Sequence, residues 1–208
     1  IGGIDRNKTY FIERLSTVRT KTELEYAVDI KTVLDIYGIT DNDIDGCIIS
    51  SVVPQITEVA RLATKKIIKK DVVVLGPGVK TGLNIQTDHP GELGADLVAD
   101  AVAGIDGYPV PLVIIDMGTA TTMSVLDPNG AHLGGCVCPG LKISLDALTS
   151  RTSLLPGIQL DSPKQAVGRN TADAMRSGIM FGNAAMLDGM IDRFQAETGW
   201  DFTILATG

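Results

Sequence analysis

The feature that most constrains this chain is the apolar run Leu112-Val113-Ile114-Ile115, which stops abruptly at the polar segment 116–122. Consecutive large and β-branched apolar residues are typical of a strand that is buried on both faces. Such strands occur in α/β folds, in which ligands collect at the carboxyl ends of the strands. The segment 116–122 is therefore the first candidate for a binding site.

The rest of the chain alternates short apolar runs with stretches of helical spacing, which indicates an α/β fold. An opening hairpin, a helix capped by Thr22 and Glu25, and a buried β-α-β unit are predicted before the central strand. The turn sequence Asp127-Pro128-Asn129-Gly130 predicts a hairpin after it. The predicted strands are 8–18, 47–49, 72–75, 112–115, 121–126 with an opposing arm that reaches Gly135, and 202–205; the predicted helices are 23–37, one between strands 47–49 and 72–75, 96–104, 140–149 and 171–198.

The length of 208 residues suits two small lobes, because single domains usually run about 100 to 200 residues. Tyr108-Pro109 breaks the chain before the central strand, so we predict an N-terminal lobe of residues 1–108 and a C-terminal lobe of residues 109–208. Each predicted lobe begins with a strand hairpin and continues into helices. This similarity in element order between the two halves is expected of a duplicated two-lobe fold.

Charge and hydropathy argue against several classes of function. The formal charge of −7 gives no basic surface for a nucleic-acid backbone, so we expect no nucleic-acid partner. A bound nucleotide would need Mg2+ and backbone dipoles to offset its charge. The sequence shows neither an apolar run of transmembrane length nor a cleavable leader, so we expect a cytoplasmic protein without a membrane partner.

The three cysteines, Cys47, Cys136 and Cys138, form neither an even disulfide framework nor a four-ligand metal set. We expect reduced thiols that pack as small buried residues. A redox pair of Cys136 and Cys138 is the alternative. No catalytic role is assigned to any of the three.

Within the segment 116–122, an acid, a glycine and several hydroxyl side chains follow the central strand. Gly118 allows the backbone to approach a phosphate, Thr119 can donate its hydroxyl and amide groups, and Asp116 can hold a cation. The alternative is a tight turn with a solvated acid.

A second acid, Asp96, follows the Gly-containing loop 90–95 and stands at the start of a predicted helix. It can accept the proton of a primary hydroxyl group that attacks the γ-phosphate of ATP, the role of the catalytic Asp in kinases. The alternative is that Asp96 caps the helix.

Several short motifs follow one another along almost the whole chain. They are Ile49-Ser50-Ser51-Val52-Val53-Pro54, Gly78-Val79-Lys80-Thr81-Gly82-Leu83-Asn84-Ile85, the segment 116–122, Gly134-Gly135-Cys136-Val137-Cys138-Pro139-Gly140, Ser150-Arg151-Thr152-Ser153-Leu154-Leu155-Pro156, and Gly168-Arg169-Asn170-Thr171 followed by Ser177-Gly178. This order resembles that of the type III pantothenate kinases. The last motif alone would be a weak turn-and-cap signal, whereas the ordered set is specific.

The resemblance implies an actin-like (ribonuclease H-like) α/β fold of two duplicated lobes around a cleft. It implies an enzyme that uses ATP to phosphorylate pantothenate to 4'-phosphopantothenate, the first step of coenzyme A biosynthesis. The implied cofactors are ATP, Mg2+ and a monovalent cation, K+ or NH4+. The implied assembly is a homodimer.

The resemblance also implies roles for individual residues. Asp96 is the implied proton acceptor, Asp116 the implied ligand of the monovalent cation, and Thr119 the implied ATP contact, beside Gly118. The implied positions at pantothenate are Thr87, Gly94, Ala95, Asp96, Leu97 and Thr171, of which Thr171 serves the partner's site.

The predicted helix 171–198 bears on the implied homodimer. It carries more apolar side chains than one small lobe needs, and these are Met175, Ile179, Met180, Met186, Met190 and Ile191. The alternative is a core helix in which Met fills gaps.

Two residues depart from the family pattern in the substrate loop. Most members have Tyr at the position of Thr87 and Arg at the position of Leu97. An Arg offers a two-pronged donor to a carboxylate, which Leu97 cannot replace, so recognition of the pantothenate carboxylate would have to be rebuilt. The alternative function is therefore a non-catalytic regulatory or partner subunit of the same fold, but the retention of Asp96, Asp116, Thr119 and Thr171 favours the enzyme.

We also expect that residues are missing at both ends. Ile1 is no initiator Met, and Ile1-Gly2-Gly3-Ile4-Asp5 resembles the middle of a hairpin. In the family, an opening strand and an Asp-x-Gly-Asn-Thr phosphate loop would lie immediately before Ile1. The end at Ala206-Thr207-Gly208 resembles the start of an adenosine-binding turn.

Overall fold

The structure is a computed structural model that describes residues 1–208. Strands and helices alternate along much of the chain, and the residues divide into two units, one of residues 1–80 and 91–99 and the other of residues 81–90 and 100–208. None of the helices combines the length and apolarity needed to cross a membrane. The elements are β1 (Gly2–Ile4), β2 (Thr9–Ile12), α1 (Glu23–Ile36), β3 (Cys47–Ile49), α2 (Pro54–Ile67), β4 (Val72–Val74), α3 (Ala95–Gly107), β5 (Leu112–Met117), β6 (Ala120–Leu126), β7 (His132–Pro139), α4 (Leu141–Arg151), α5 (Thr171–Thr198) and β8 (Thr203–Thr207).

The first unit contains the predicted hairpin, the capped helix and the β-α-β unit. At the start of α1, the amide of Glu25 donates to Thr22 Oγ1 and the Glu25 carboxylate accepts from the amide of Thr22, which is the predicted capping box. Strands β3 and β4 pair in parallel and α2 connects them. The mixed α/β character predicted from the sequence is confirmed.

The core of this unit lies where the hairpin, α1 and α2 meet. Apolar side chains recur on one face of each helix, and their burial stabilises the fold by about 25 cal/mol for each Å² removed from water. The buried residues of this core are Phe11, Ala27, Ile30, Val33, Leu34, Ala63 and Ile68.

The second unit is built on a four-stranded sheet in the order β7-β6-β5-β8. The central β5 pairs antiparallel with β6 and parallel with β8. Because β5 is covered on both sides, Leu112, Val113, Ile114 and Ile115 are all buried, as the continuous apolar run predicts.

Alternate residues of β5 belong to two different core clusters. Val113 and Ile115 pack with residues of α5 on one face of the sheet. Leu112 and Ile114 pack with Ala101 of α3 on the other face. Since side chains alternate along a strand, Asp116 lies on the α3 face, directly after these two apolar residues.

Several predicted boundaries are wrong, and three of them bear on the sheet or the candidate site. Strand β2 ends at Ile12 rather than at residue 18, because its pairing stops at the hydrogen bonds between Glu13 and Ile1. Strand β7 continues past Gly135 to Pro139, because β6 offers pairing partners along its whole length. The third concerns α3, which begins at Ala95, so Asp96 is inside the helix and does not cap it.

The helix α5 has the predicted bounds, and its apolar residues serve largely its own unit. Met175 and Ile179 are buried, and Met190 and Ile191 pack against the core on the sheet. Phe181 is the large apolar residue of α5 that remains exposed. These contacts agree with the core-helix alternative for most of the apolar side chains.

Candidate active site

The loop before α3 brings the backbone of Gly94 close to the carboxylate of Asp96. The carbonyl of Gly94 accepts from the amide of Val98, the first bond of the helix, and the amide of Leu97 donates to Asp96 Oδ1 over 2.9 Å. A Cβ atom at Gly94 would collide with Asp96 Oδ1 and would lie 3.5 Å from Val52 Cγ1. A side chain at residue 94 would therefore displace the carboxylate of Asp96, which is held in the first turn of α3.

A shallow cavity of about 550 Å³ lies in the same unit, where Val52 forms part of its wall. It opens at the carboxyl ends of the parallel strands β3 and β4, which is where ligands gather in open α/β sheets. Arg61 in this wall forms an ion pair with Glu58 at 2.6 Å. The other lining residues are Ser51, Pro54, Thr57 and Val74.

In the second unit, the β5–β6 hairpin carries the candidate cation and phosphate residues. Asp116 and Thr122 are directly opposite each other in the antiparallel pair, so both side chains lie on the α3 face. The Thr122 hydroxyl is buried and makes no hydrogen bond. Gly118 and Thr119 form the exposed turn between the strands.

The start of α4 packs against this turn. A Cβ atom at Gly140 would collide with the carbonyl oxygen of Thr119 and would lie 2.7 Å from that of Gly118. No side chain caps α4, and the first amides of a helix are unpaired within it and bind anions readily. The turn and the start of α4 therefore form a glycine-lined backbone surface suited to a phosphate group.

Thr87 lies in a segment that is attached to the beginning of β7. The amide of His132 donates to the carbonyl of Asn84 over 2.8 Å, and the amide of Gln86 donates to the carbonyl of His132 over 2.9 Å. The Thr87 hydroxyl is buried without a partner, as are both ring nitrogens of His132. Burial lowers the pKa of the His132 imidazole, because desolvation disfavours the charged form.

Thr171 is the exposed first residue of α5. The preceding residue, Asn170, caps the helix by accepting from the amide of Asp173 over 2.9 Å. Gly168 packs tightly on the same turn, since a Cβ there would lie 2.6 Å from the carbonyl carbon of Asp173. The Gly168-Arg169-Asn170-Thr171 motif thus works locally as a turn and cap, with the Thr171 hydroxyl outside the core.

Comparison with known proteins settles the family. The family model for type III pantothenate kinase matches residues 1–193. The chain belongs to this family. Relatives named type III pantothenate kinase from Halalkalibacterium halodurans, Geobacillus sp. and Bacillus cytotoxicus are each 43% identical over 195 residues, which are 94% of this chain and 77%, 76% and 74% of the respective relatives.

Among solved structures, a candidate Baf family transcriptional activator from Campylobacter jejuni aligns with 24% identity. The alignment covers 57% of this chain and 53% of that chain, with a TM-score of 0.42. A likeness of this size carries no argument about fold or function.

Two oxygen donors of this pantothenate kinase family member lie side by side on the β5–β6 hairpin. The chain contains no group of three or more His, Cys, Asp or Glu side chains arranged to hold a metal ion. One carboxylate and an unpaired buried hydroxyl, those of Asp116 and Thr122, do face each other on the sheet. Both supply oxygen, the ligand type that hard cations prefer.

Sequence reasoning omitted Thr122 and Gly140 from the site. Thr122 could have been found from the hairpin register, because the residue opposite Asp116 follows once the turn is fixed at residues 118 and 119. Gly140 gives no such signal, because its close approach to Thr119 depends on how β7 leads into α4.

Proposed function

We propose that this chain is a catalytically active pantothenate kinase. It transfers the γ-phosphoryl group of ATP to the primary hydroxyl group of pantothenate and forms 4'-phosphopantothenate, the first step of coenzyme A biosynthesis. The family match over residues 1–193 carries this proposal. The acid in the Gly94 loop and the glycine-lined β5–β6 turn supply chemistry that a kinase needs.

Asp96 acts as the general base in the proposed reaction. Its carboxylate takes the proton of the pantothenate hydroxyl while the hydroxyl oxygen bonds to the γ-phosphorus of ATP and the bond to the β-phosphate oxygen breaks, so that ADP leaves. The amide of Leu97 holds Asp96 Oδ1, which leaves Oδ2 for the substrate. Gly94, Ala95 and Leu97 shape the pantothenate loop, and Thr87 and Thr171 make further contacts.

The β5–β6 hairpin binds the phosphate groups of ATP and the monovalent cation. Gly118 and Thr119 contact ATP through the exposed turn, next to the uncapped start of α4. The carboxylate of Asp116 and the hydroxyl of Thr122 hold K+ or NH4+, which supplies positive charge near the phosphates when bound. Mg2+ arrives on the ATP phosphates, since it commonly uses few protein ligands and several phosphate and water oxygens.

The architecture that accompanies this activity is an actin-like pair of lobes, residues 1–108 and 109–208. The working form is a cytoplasmic homodimer in which Thr171 contributes to the partner's site. Phe181 is exposed on α5, the helix proposed for the interface. Sedimentation of the complete protein at micromolar concentration checks the dimer, and a monomer under those conditions would count against it.

A non-catalytic subunit of the same fold is the second candidate function. Leu97, where most family members have Arg, is the observation in its favour, because the substrate carboxylate then lacks its expected partner. The presence of both acids, Asp96 and Asp116, weighs against it.

The direct test is a kinase assay on the complete protein with ATP, Mg2+ and K+. We expect release of ADP that depends on pantothenate, together with 4'-phosphopantothenate identified by mass spectrometry. Omission of K+ and of pantothenate gives the two controls. If ATP binds but no phosphorylated product forms at any pantothenate concentration, the subunit function is the better conclusion.

A further inference from the structure

Cys136 and Cys138 lie on one face of an edge strand. They are two residues apart on β7, which is the outermost strand of the four-stranded sheet. Side chains at positions i and i+2 of a strand project to the same side. Both thiols are free and partly exposed, so the prediction of fully buried cysteines is wrong for these two residues.

Methionine sulfur accompanies these thiols on the same face. Met123 of β6 is the direct cross-strand partner of Cys136 and is 1% exposed. Cys136 and Met190 of α5 both pack against the core cluster to which Met123 belongs. Because directly opposed residues have Cβ atoms about 4.5–5.5 Å apart, the Met123 thioether is within reach of the Cys136 thiol.

Strand geometry disfavours a disulfide between the two cysteines. A rise of about 3.4 Å per residue places Cα atoms of residues i and i+2 about 6.8 Å apart. Disulfides occupy Cα separations up to about 6.8 Å and prefer about 5.5–6 Å. A bridging metal ion is less demanding, because two metal–sulfur bonds of about 2.3 Å join sulfur atoms up to about 4.6 Å apart.

The ligand atoms decide which cations could enter. Soft thiolate and thioether ligands select Cu(I), zinc and iron–sulfur clusters. Structural zinc sites and iron–sulfur clusters usually take four protein ligands, whereas this face of the sheet offers three.

We propose that Cys136, Cys138 and Met123 form a binding site for a soft monovalent cation of the Cu(I) type. Binding forms two metal–thiolate bonds and one metal–thioether bond and releases two protons to solvent. The metal keeps its oxidation state, and the bound group carries a net charge of −1. The site lies on the α5 face of the sheet, the opposite face from Asp116 and Thr122.

The proposal is tested by anaerobic titration of the reduced complete protein with Cu(I) against a chromophoric Cu(I) chelator. We expect one equivalent to bind in competition with the chelator. Cys136→Ser and Cys138→Ser should each weaken binding by about tenfold or more, because loss of a direct ligand should cost at least as much as loss of an outer-shell partner. Met123→Leu should weaken it less, since the thioether is neutral.

Cys47→Ser is the matched control, because Cys47 is a free, half-buried thiol of the other unit. It should leave Cu(I) affinity unchanged. A second measurement uses the protein without any substitution. Bound Cu(I) should slow alkylation of Cys136 and Cys138 but not of Cys47. Equal protection of all three thiols, unchanged affinity in both serine variants, or a Cys136–Cys138 disulfide after air exposure would overturn the proposal.

Discussion

Asp116 on β5 stands directly opposite Thr122 on β6, and the buried hydroxyl of Thr122 has no hydrogen-bond partner. An unsatisfied buried polar group costs about 1–3 kcal/mol. A cation between the carboxylate and the hydroxyl would satisfy that oxygen and would also compensate the charge of Asp116. The unpaired hydroxyl of Thr122 therefore destabilises the cation-free protein, and binding of the proposed cation would remove that destabilisation.

Thr122→Val is expected to leave the free protein as stable as before or slightly more stable, because the unpaired hydroxyl is removed without a large change in shape. The K+ concentration for half-maximal activity should rise about fivefold, corresponding to about 1 kcal/mol for one lost interaction. Activity is measured against K+ concentration. Thr121→Val, a buried hydroxyl on the other face of the same strand, is the control, and an equal response in both variants would speak against the cation role.

Asp96→Asn should lower turnover by about 100-fold or more, the scale of general-base loss. The fold should persist, because an amide oxygen can still accept from the Leu97 amide that now donates to Asp96 Oδ1. ATP affinity should hardly change. Turnover and thermal melting are compared with Asp106→Asn, an exposed acid of the same helix. Unchanged turnover would mean that Asp96 has only a structural role in the first turn of α3.

Gly140→Ala tests the contact between α4 and the β5–β6 turn. A Cβ atom at position 140 would meet the carbonyl oxygens of Thr119 and Gly118, which are backbone atoms and cannot rotate away. We expect a stability loss of about 1–3 kcal/mol, typical of overpacking, and a higher KM for ATP. Gly157→Ala is the control, since nothing lies within 4 Å of a Cβ there; a matching KM in the two variants would contradict the prediction.

His132 predicts how stability depends on pH. Burial lowers the pKa of its imidazole in the folded protein, whereas the unfolded chain has a pKa near about 6.5. Below that pH the unfolded chain takes up a proton that the folded protein does not, so the free energy of unfolding falls as pH drops from about 6.5 towards the lowered pKa.

His132→Leu should remove this part of the acid sensitivity, which denaturant unfolding at a series of pH values measures. Replacement of the exposed His89 by Gln is the matched control. If His132→Leu and the parent protein lose stability in parallel between pH values of about 6.5 and 5, the acid sensitivity comes from other groups.

Much of this fold could be predicted from local sequence signals. The capping box at Thr22, the continuous apolar run of β5 and the turn after β6 are decided by neighbouring residues, and each is present. The bounds of β2 and β7 could not be predicted in the same way, because a strand ends where its partner stops offering hydrogen bonds. Which residues pair is decided by the folded chain rather than by the sequence of one strand.

The candidate site shows the same division. Asp116, Gly118 and Thr119 could be selected because they are adjacent in sequence and follow a buried strand. The burial of the His132 ring beside the segment that carries Thr87 could not, since it arises from pairing between residues 84–86 and the start of β7. Residues that are distant in sequence can be recognised as one site only when the pairing register of the strands is known.

Leu97→Arg examines the departure in the substrate loop. Leu97 is half-buried next to Asp96, at the position where the resemblance to the family leads us to expect Arg. If the chain binds pantothenate through a weakened pocket, the guanidinium should tighten pantothenate binding about tenfold by a charge-assisted hydrogen bond to its carboxylate. ATP affinity should stay constant because the nucleotide is proposed to use the β5–β6 turn.

Calorimetry compares the variant with the parent protein and with Leu97→Met, which conserves volume without charge. Weaker binding in the Arg variant alone would mean that another cation already occupies this role, and no pantothenate binding in any variant would remove pantothenate as the ligand.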